Sequence, residues 1–420
     1  MKKHLTLTAA LMLTTTAASA AGIDRVLTNY GILFETGNYV ELSYANVQPE
    51  VSGTYSSTPL GPGLPSLAAA GGSDTTGTMS KDFSTLSGSV KYDLTDRLAL
   101  GMFSNQPFGA DAAYTSGFYT GLAAEWNSRG TSVVLKYQAT PNVSVYGGVR
   151  SIVSQADIAI PDSLVRIRYA GAAAQLQGAA QAAAAAGDLA TAAALGAQAT
   201  QLGAVATTAP QGSLGYTATT DSDRQTSYIL GAAYERPEIA LRVALTYESG
   251  YSHEFDTSES LPLLGARNSV TTVDMPDVYT LDFQSGVATD TLVFGSIRYA
   301  TWSDWEVRPD LYNSLPGNPA VVGIEDNSTT YRLGVGRKFT DAVSGFARVT
   351  YEPGTDKEVN RLSPTDGSIA YGVGGTYTNG PIKVTAGVEY VQFGDGTDST
   401  GTVFADNDAV AVGVSVGYRF

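Results

Sequence analysis

From position 410 onward, Val410, Val412, Val414, Val416, Tyr418 and Phe420 fall on one side of a two-residue period. Ala409, Ala411, Gly413, Ser415, Gly417 and Arg419 fall on the other. A period of two marks a strand with one apolar face. The same alternation recurs along the chain, and the charges keep to one side of it. Arg242 and Glu248 oppose Ile239, Leu241, Val243, Leu245 and Tyr247; Lys383 and Glu389 oppose Ile382, Val384, Val388 and Tyr390. Arg348 opposes Val343, Val349 and Tyr351, Lys91 and Asp93 oppose Val90, Tyr92 and Leu94, and Lys136 opposes Val133, Leu135 and Tyr137. A soluble sandwich turns its charged face to water and packs the other; a membrane barrel turns the apolar face to lipid and lines its interior with charge.

The connections separate these two. Tight turns at 95–97, 140–142, 235–238, 289–290, 340–341 and 379–381 alternate with long segments rich in Gly, Pro, Ser and Asp, such as "SSTPLGPGLPSLAAAGGSDTTG". One strand near 38–54, a pair across each turn and the closing strand predict an all-β fold, a fourteen-stranded antiparallel transmembrane β-barrel over 38–420. Both barrel ends lie on the short-turn side, where the last strand closes on the first and leaves no edge in the bilayer. Phe420 and Tyr418 then sit in the periplasmic aromatic girdle.

One stretch breaks the pattern. Residues 170–210 are alanine-rich and strongly helix-forming, and Gly187-Asp188 ends one helix and caps a second. Its position in a long connection predicts a helical hairpin over the extracellular mouth. At the start, Lys2 and Lys3, a short Leu/Ala/Thr run and Ala18-Ser19-Ala20 read as a secretory signal over 1–20. Residues 21–37 remain as a short plug-like segment. The net charge of −15 argues against nucleic acid as a partner. The chain has no cysteine, and only His253 lies beyond the signal, so thiolate metal sites and histidine catalysis have little to build on. No cofactor is expected.

In four segments the sequence resembles the FadL-type transporters of long-chain fatty acids and other hydrophobic compounds. They are "GNYVELSYANVQPEVSG", "LTYESGYSHEF", "DMPDVYTLDFQSGVATDTLVFGSIRYATWSDWEV" (274–307) and "TTYRLGVGRKF". The resemblance runs in element order over nearly all of the chain after the signal. It implies outer-membrane uptake of long-chain fatty acids or similar hydrophobic compounds, captured by extracellular loops and released through a lateral opening near strand three. It also implies outer-membrane lipid, lipopolysaccharide and the barrel-assembly machinery as partners, the last reading Phe420. The family normally begins with a hatch of some forty residues carrying Asn-Pro-Ala. Here only "AGIDRVLTNYGILFETG" precedes the first strand, and the triplet at 318–320 lies in an extracellular loop, so either this short segment does the plugging or the barrel is more open than its relatives.

Parity turns Arg150, Arg242, Arg298, Arg332, Arg348, Lys91, Lys136 and Lys383 inward, with Glu41, Glu248, Asp282 and Glu389. These charges either pair among themselves or meet a ligand carboxylate, and mid-strand Arg150 and Arg298 are the candidates for the latter. Phe103, Phe294 and Phe346 share the inward parity and either line an apolar path or pack against the N-terminal segment. Pro107 lacks a ladder donor and Gly109 weakens the strand beside it; they either mark a strand end near the loop or, as the resemblance implies, form the candidate wall opening. A general diffusion porin and, through His253, an outer-membrane hydrolase are the alternatives.

Overall fold

A computed structural model describes residues 23–59 and 65–420; the signal segment 1–20 lies outside the described residues. Fourteen antiparallel strands close into one barrel. They are β1 (Tyr39–Glu50), β2 (Phe83–Asp93), β3 (Leu98–Asn105 and Gly109–Ala113), β4 (Ala123–Gln138) and β5 (Val143–Ile160). Next come β6 (Tyr216–Thr220 and Asp223–Arg236), β7 (Leu241–Glu248 and Tyr251–Leu261), β8 (Gly265–Met275 and Val278–Ala288) and β9 (Thr291–Ala300). The last are β10 (Ser328–Lys338), β11 (Val343–Glu352), β12 (Ser368–Asn379), β13 (Ile382–Phe393) and β14 (Asp408–Arg419). β14 pairs with β1 from Tyr39 opposite Arg419 to Glu50 opposite Asp408, and Phe420 N adds a bond to Asn38 O. Closure of the last strand on the first leaves no free sheet edge to face lipid.

The alternation sorts the side chains as the pattern requires. Leu245, Leu333, Val373 and Val412 are exposed on the outer wall, an apolar surface that water would not tolerate. Exposed rings border this belt on both sides. Tyr44, Tyr228, Tyr279, Tyr299, Tyr331 and Tyr351 lie toward the long loops, and Tyr92, Tyr137, Tyr234, Phe339, Tyr377 and Tyr418 toward the short turns. Two aromatic girdles about an apolar band define a membrane barrel. Phe420 stacks on Tyr418 at 6.4 Å, on the short-turn side.

Three of the six short turns use one device. Thr95, Thr140 and Thr340 each accept, through Oγ1, a bond of 3.0 Å from the amide three residues on, at Leu98, Val143 and Val343. A threonine hydroxyl that binds its own backbone in this way favours a turn over a continued strand. At the β12–β13 turn Gly380 takes φ +58°, which its lack of a Cβ allows.

On the other side the loops are long, with one exception: β7 and β8 run on past the girdle and meet in a tight turn at 262–264. The helical hairpin comprises α1 (Asp162–Ala185) and α2 (Leu189–Thr208). It begins earlier than its alanine-rich part, because Asp162 pairs with Arg166 at 2.9 Å and Val165 and Tyr169 pack into the loop cluster. Arg166 also donates to Ala206 O at 2.8 Å, fastening the two helix ends together. Beyond this base the hairpin is largely exposed. Among the described residues no helix is long and apolar enough to cross a membrane.

Candidate functional site

The N-terminal segment runs through the lumen, tied to the wall at successive levels. At the top, Arg25 N donates to Pro107 O (2.8 Å) and Gly109 N donates to Ile23 O (2.7 Å), so Ile23–Arg25 pairs with the break in β3. Asp24 meets Arg298 of β9 on the far wall, with contacts of 2.8 and 3.0 Å. Lower down, Tyr30 donates to Glu248 Oε1 (2.7 Å), which also receives Arg150 at 2.8 Å. A short 3-10 helix, Tyr30–Phe34, buries Ile32 and Leu33, and Phe34 lies under the cations of Lys136 and Arg242. At the bottom Glu35 binds Lys383 and Arg419. The short sequence before β1 therefore runs inside the barrel from the β3 break to the short-turn end.

Both headgroup candidates thus carry a carboxylate of the protein itself, Arg150 that of Glu248 and Arg298 that of Asp24. Arg348 pairs with Glu389 (2.6 Å), while Lys91 donates to Gly37 O and contacts Asp93. Among the inward phenylalanines, Phe103 meets Tyr30 at 5.4 Å and packs on the segment. Phe294 and Phe346 instead form a small cluster with Leu292, away from it.

β3 is interrupted at 106–108, around Pro107. Regular β2–β3 pairing stops at Gly88 opposite Ser104 and returns only as a single bridge between Ser80 and Ala112. Over 81–87 the edge of the chain that faces β3 has no partner strand. A cavity of about 40 Å³ lies behind this gap, lined by Leu27, Tyr44, Ser87, Phe103 and Asn105 among others. The cavity lies against the inner side of β1, whose Glu41 and Ala45 also line it. Asn105 holds the segment here, donating to Val26 O at 3.0 Å. A Cβ on Gly109 would meet the far end of the Arg25 side chain, which would have to turn aside.

Vestibules lie at both ends. The outer one, about 1060 Å³, is bounded by Trp305, Arg308, Ile324, Val359 and neighbouring loop residues. The inner one, about 510 Å³, lies beside Leu33, Glu35, Lys91 and Lys136. The outer loops are fastened by buried Asp398, which accepts from Tyr119 Oη (2.5 Å) and Arg361 Nε (3.0 Å). Burial raises the Tyr119 hydroxyl above the ordinary tyrosine value, against the opposing pull of Arg361, so it stays a donor.

His253 is fully buried, and its Nδ1 meets Asp223 at 2.7 Å. Its Nε2 has no partner, so no hydroxyl nucleophile is set against it. Among the described residues no cluster of three metal-ligating side chains occurs. Sequence reading missed the residues that hold the plug, Asp24, Tyr30 and Glu35. They lie outside any periodic strand, and parity says nothing of their partners.

The class defined by these features is a closed fourteen-stranded membrane barrel with its N-terminal segment inside the lumen and a broken third strand. No family model matches the chain, and no curated protein sequence does. Solved structures share the fold over nearly its full length. A FadL homologue from Pseudomonas aeruginosa aligns with 97% of this chain and 99% of its own, at 14% identity and a TM-score of 0.69. The toluene transporter TodX of Pseudomonas putida aligns over 97% and 99%, at 14% identity and 0.59. The monoaromatic hydrocarbon channel CymD aligns over 97% and 98%, at 12% identity and 0.53.

Proposed function

We propose that this chain is a FadL-type carrier in the outer membrane of a Gram-negative bacterium. It takes up hydrophobic compounds, long-chain fatty acids or molecules like them, and releases them sideways into the bilayer at the β2–β3 gap. One observation carries the reading: the N-terminal segment is fastened inside the lumen while the β2 edge facing β3 has no partner strand over 81–87, beside a cavity. A methylene gains about 0.8 kcal/mol on leaving water for an apolar phase. A sideways exit spares a long tail its return to water. The likeness in fold to transporters and channels of hydrophobic compounds supports the same reading.

The loops would capture the compound at the outer vestibule. A ligand carboxylate would compete with Asp24 for Arg298, releasing the top of the segment from β9. Lipopolysaccharide would surround the outer girdle, and the assembly machinery would insert the barrel. Uptake of labelled fatty acids and aromatic hydrocarbons in a deletion strain, with and without this chain, tests the proposal. Restored uptake is expected. Steady ion conductance with no preference for hydrophobic compounds would instead mark a general diffusion porin.

A further inference from the structure

Between β6 and β7 the wall has a second interruption, which the route above does not use. Ser249 N donates to Tyr228 O and, further out, Asp221 N donates to Asp256 O, each at 2.9 Å. Between these rungs, residues 222–227 and 250–255 share no ladder, although β6 stays paired with β5 and β7 with β8.

The buried faces give the reason. Either side of the gap the strands keep one register, with Ile229 opposite Glu248 below and Thr220 opposite Thr257 above. Each strand breaks once, and each break swaps which alternate residues are buried. In β6 these are Ser227 and Ile229 below but Tyr216 and Ala218 above; in β7, Thr246 below but His253 and Phe255 above. The breaks fall at different levels, 221–222 and 249–250. The stretches between them are therefore one residue out of phase, and a regular ladder would turn one buried set outward. Side chains close the seam instead. The Asp223 carboxylate accepts from His253 Nδ1 (2.7 Å) and from Glu254 N (3.3 Å).

The seam lies just beyond Tyr228 of the outer girdle, which is 60% exposed. Its outward residues, Arg224, Thr226, Ser252 and Glu254, are polar and exposed. It therefore faces the headgroup layer, where an unpaired backbone is tolerated, and not the hydrocarbon.

Behind the seam runs a file of rings. His253 meets Trp126 at 5.9 Å, Trp126 meets Trp305 at 6.2 Å, Trp305 meets Trp302 at 6.1 Å, and Trp302 meets Phe108 at 5.8 Å. The file holds all three tryptophans of the chain and ends at the break in β3. All three buried indole N–H groups, the Tyr251 hydroxyl and His253 Nε2 lack a hydrogen-bond partner. Buried polar groups are ordinarily satisfied, so so many orphans in one file mark a place where a ligand's polar atom belongs.

We propose that the β6–β7 seam is a side port from the outer-leaflet headgroup layer, latched by Asp223 and His253. The tryptophan file behind it binds an oxygenated hydrophobic compound, an alkyl or ring body bearing a carbonyl, ester or carboxyl acceptor. Indole only donates, so three such donors favour an acceptor-bearing molecule over a plain hydrocarbon. The proposal rests on the reading of this barrel as a carrier of hydrophobic compounds and specifies their class and point of entry.

Two measurements test it. Tryptophan emission from the purified full chain in detergent reports on this file alone. A ten-carbon methyl ketone should change the emission saturably and decane should not. Trp126→Phe, which keeps a ring and removes the N–H, should weaken apparent ketone affinity several-fold. An equal response to decane, or no saturable response to the ketone, overturns the binding site. The chain has no cysteine, so Arg224→Cys with Ser252→Cys, flanking the latch on the outward face, makes a reversible lock. Oxidation should slow ketone uptake several-fold in cells, and reductant should restore it. Undiminished uptake through the locked seam, while a lock across β2–β3 still blocks it, overturns the port and leaves the transport reading standing. If the unmodified chain takes up no hydrophobic compound, the transport reading and the port both fail, and the emission titration alone decides the binding site.

Discussion

Asp24 and Arg298 meet inside the barrel at 2.8 and 3.0 Å, one from the N-terminal segment and the other from β9, at 3% and 6% exposure. The pair spans the lumen and sets the plug against the wall opposite β3. Removing one partner of a buried ion pair costs about 3–5 kcal/mol, because the other charge is left uncompensated. Arg298→Ala should free the top of the segment and raise ion conductance across planar bilayers. Asp24→Asn should do so less. Unchanged conductance in both would mean that the pair does not hold the plug.

The two residues of the β3 break should behave differently. Pro107→Val restores a ladder donor, favouring closure of the gap, and should lower hydrophobic uptake with little change in conductance. Gly109→Val presses on the end of the Arg25 side chain, which must turn aside, so it should loosen the top of the segment and raise conductance modestly. Leu86→Cys with Gln106→Cys, oxidised across the gap, should block uptake reversibly. Normal transport by Pro107→Val and by the oxidised pair would exclude exit at this place.

Tyr119 joins three outer loops through Asp398, with the Arg361 guanidinium 5.3 Å from its ring centre. Tyr119→Phe leaves a buried carboxylate short of one donor, a cost of about 1–3 kcal/mol. Limited proteolysis should then cut the loops at 353–367 and 394–407 faster, while the barrel keeps its heat-modifiable mobility. Unaltered cleavage would show that the remaining donors suffice.

Deleting residues 171–207 should leave a folded barrel, since the hairpin is fastened at its base and Leu189 at its tip is 72% exposed. Uptake should fall through weaker capture. Loss of heat-modifiable folding would count the hairpin as part of the barrel's own structure.

Deleting Phe420 removes the bond to Asn38 O and the ring stacked on Tyr418. The amount of assembled barrel in the outer membrane should drop, as surface labelling would report. Equal surface levels would remove this residue from the assembly step.

Alternation alone determined the wall of this protein. A strand's side chains obey a period of two whatever surrounds them, so Val412, Val349 and Leu245 announced the lipid face, and Arg150, Arg298 and Arg348 the interior. The turns at 95–97, 140–142 and 340–341 are equally local, each closed by a threonine hydroxyl bound to its own backbone. The partners of the inward charges were not legible. That Arg298 meets Asp24 and Arg150 meets Glu248 depends on contacts between residues distant in sequence, which only closure of the barrel brings together. The same holds for the seams. Each strand's break is a local event, but whether two neighbouring breaks fall in phase is a relation between strands. At β7–β8 the breaks lie level and pairing resumes; at β6–β7 they do not, and the wall stays unpaired. Periodicity supplies the faces of a sheet, and only the assembled register decides where that sheet can open.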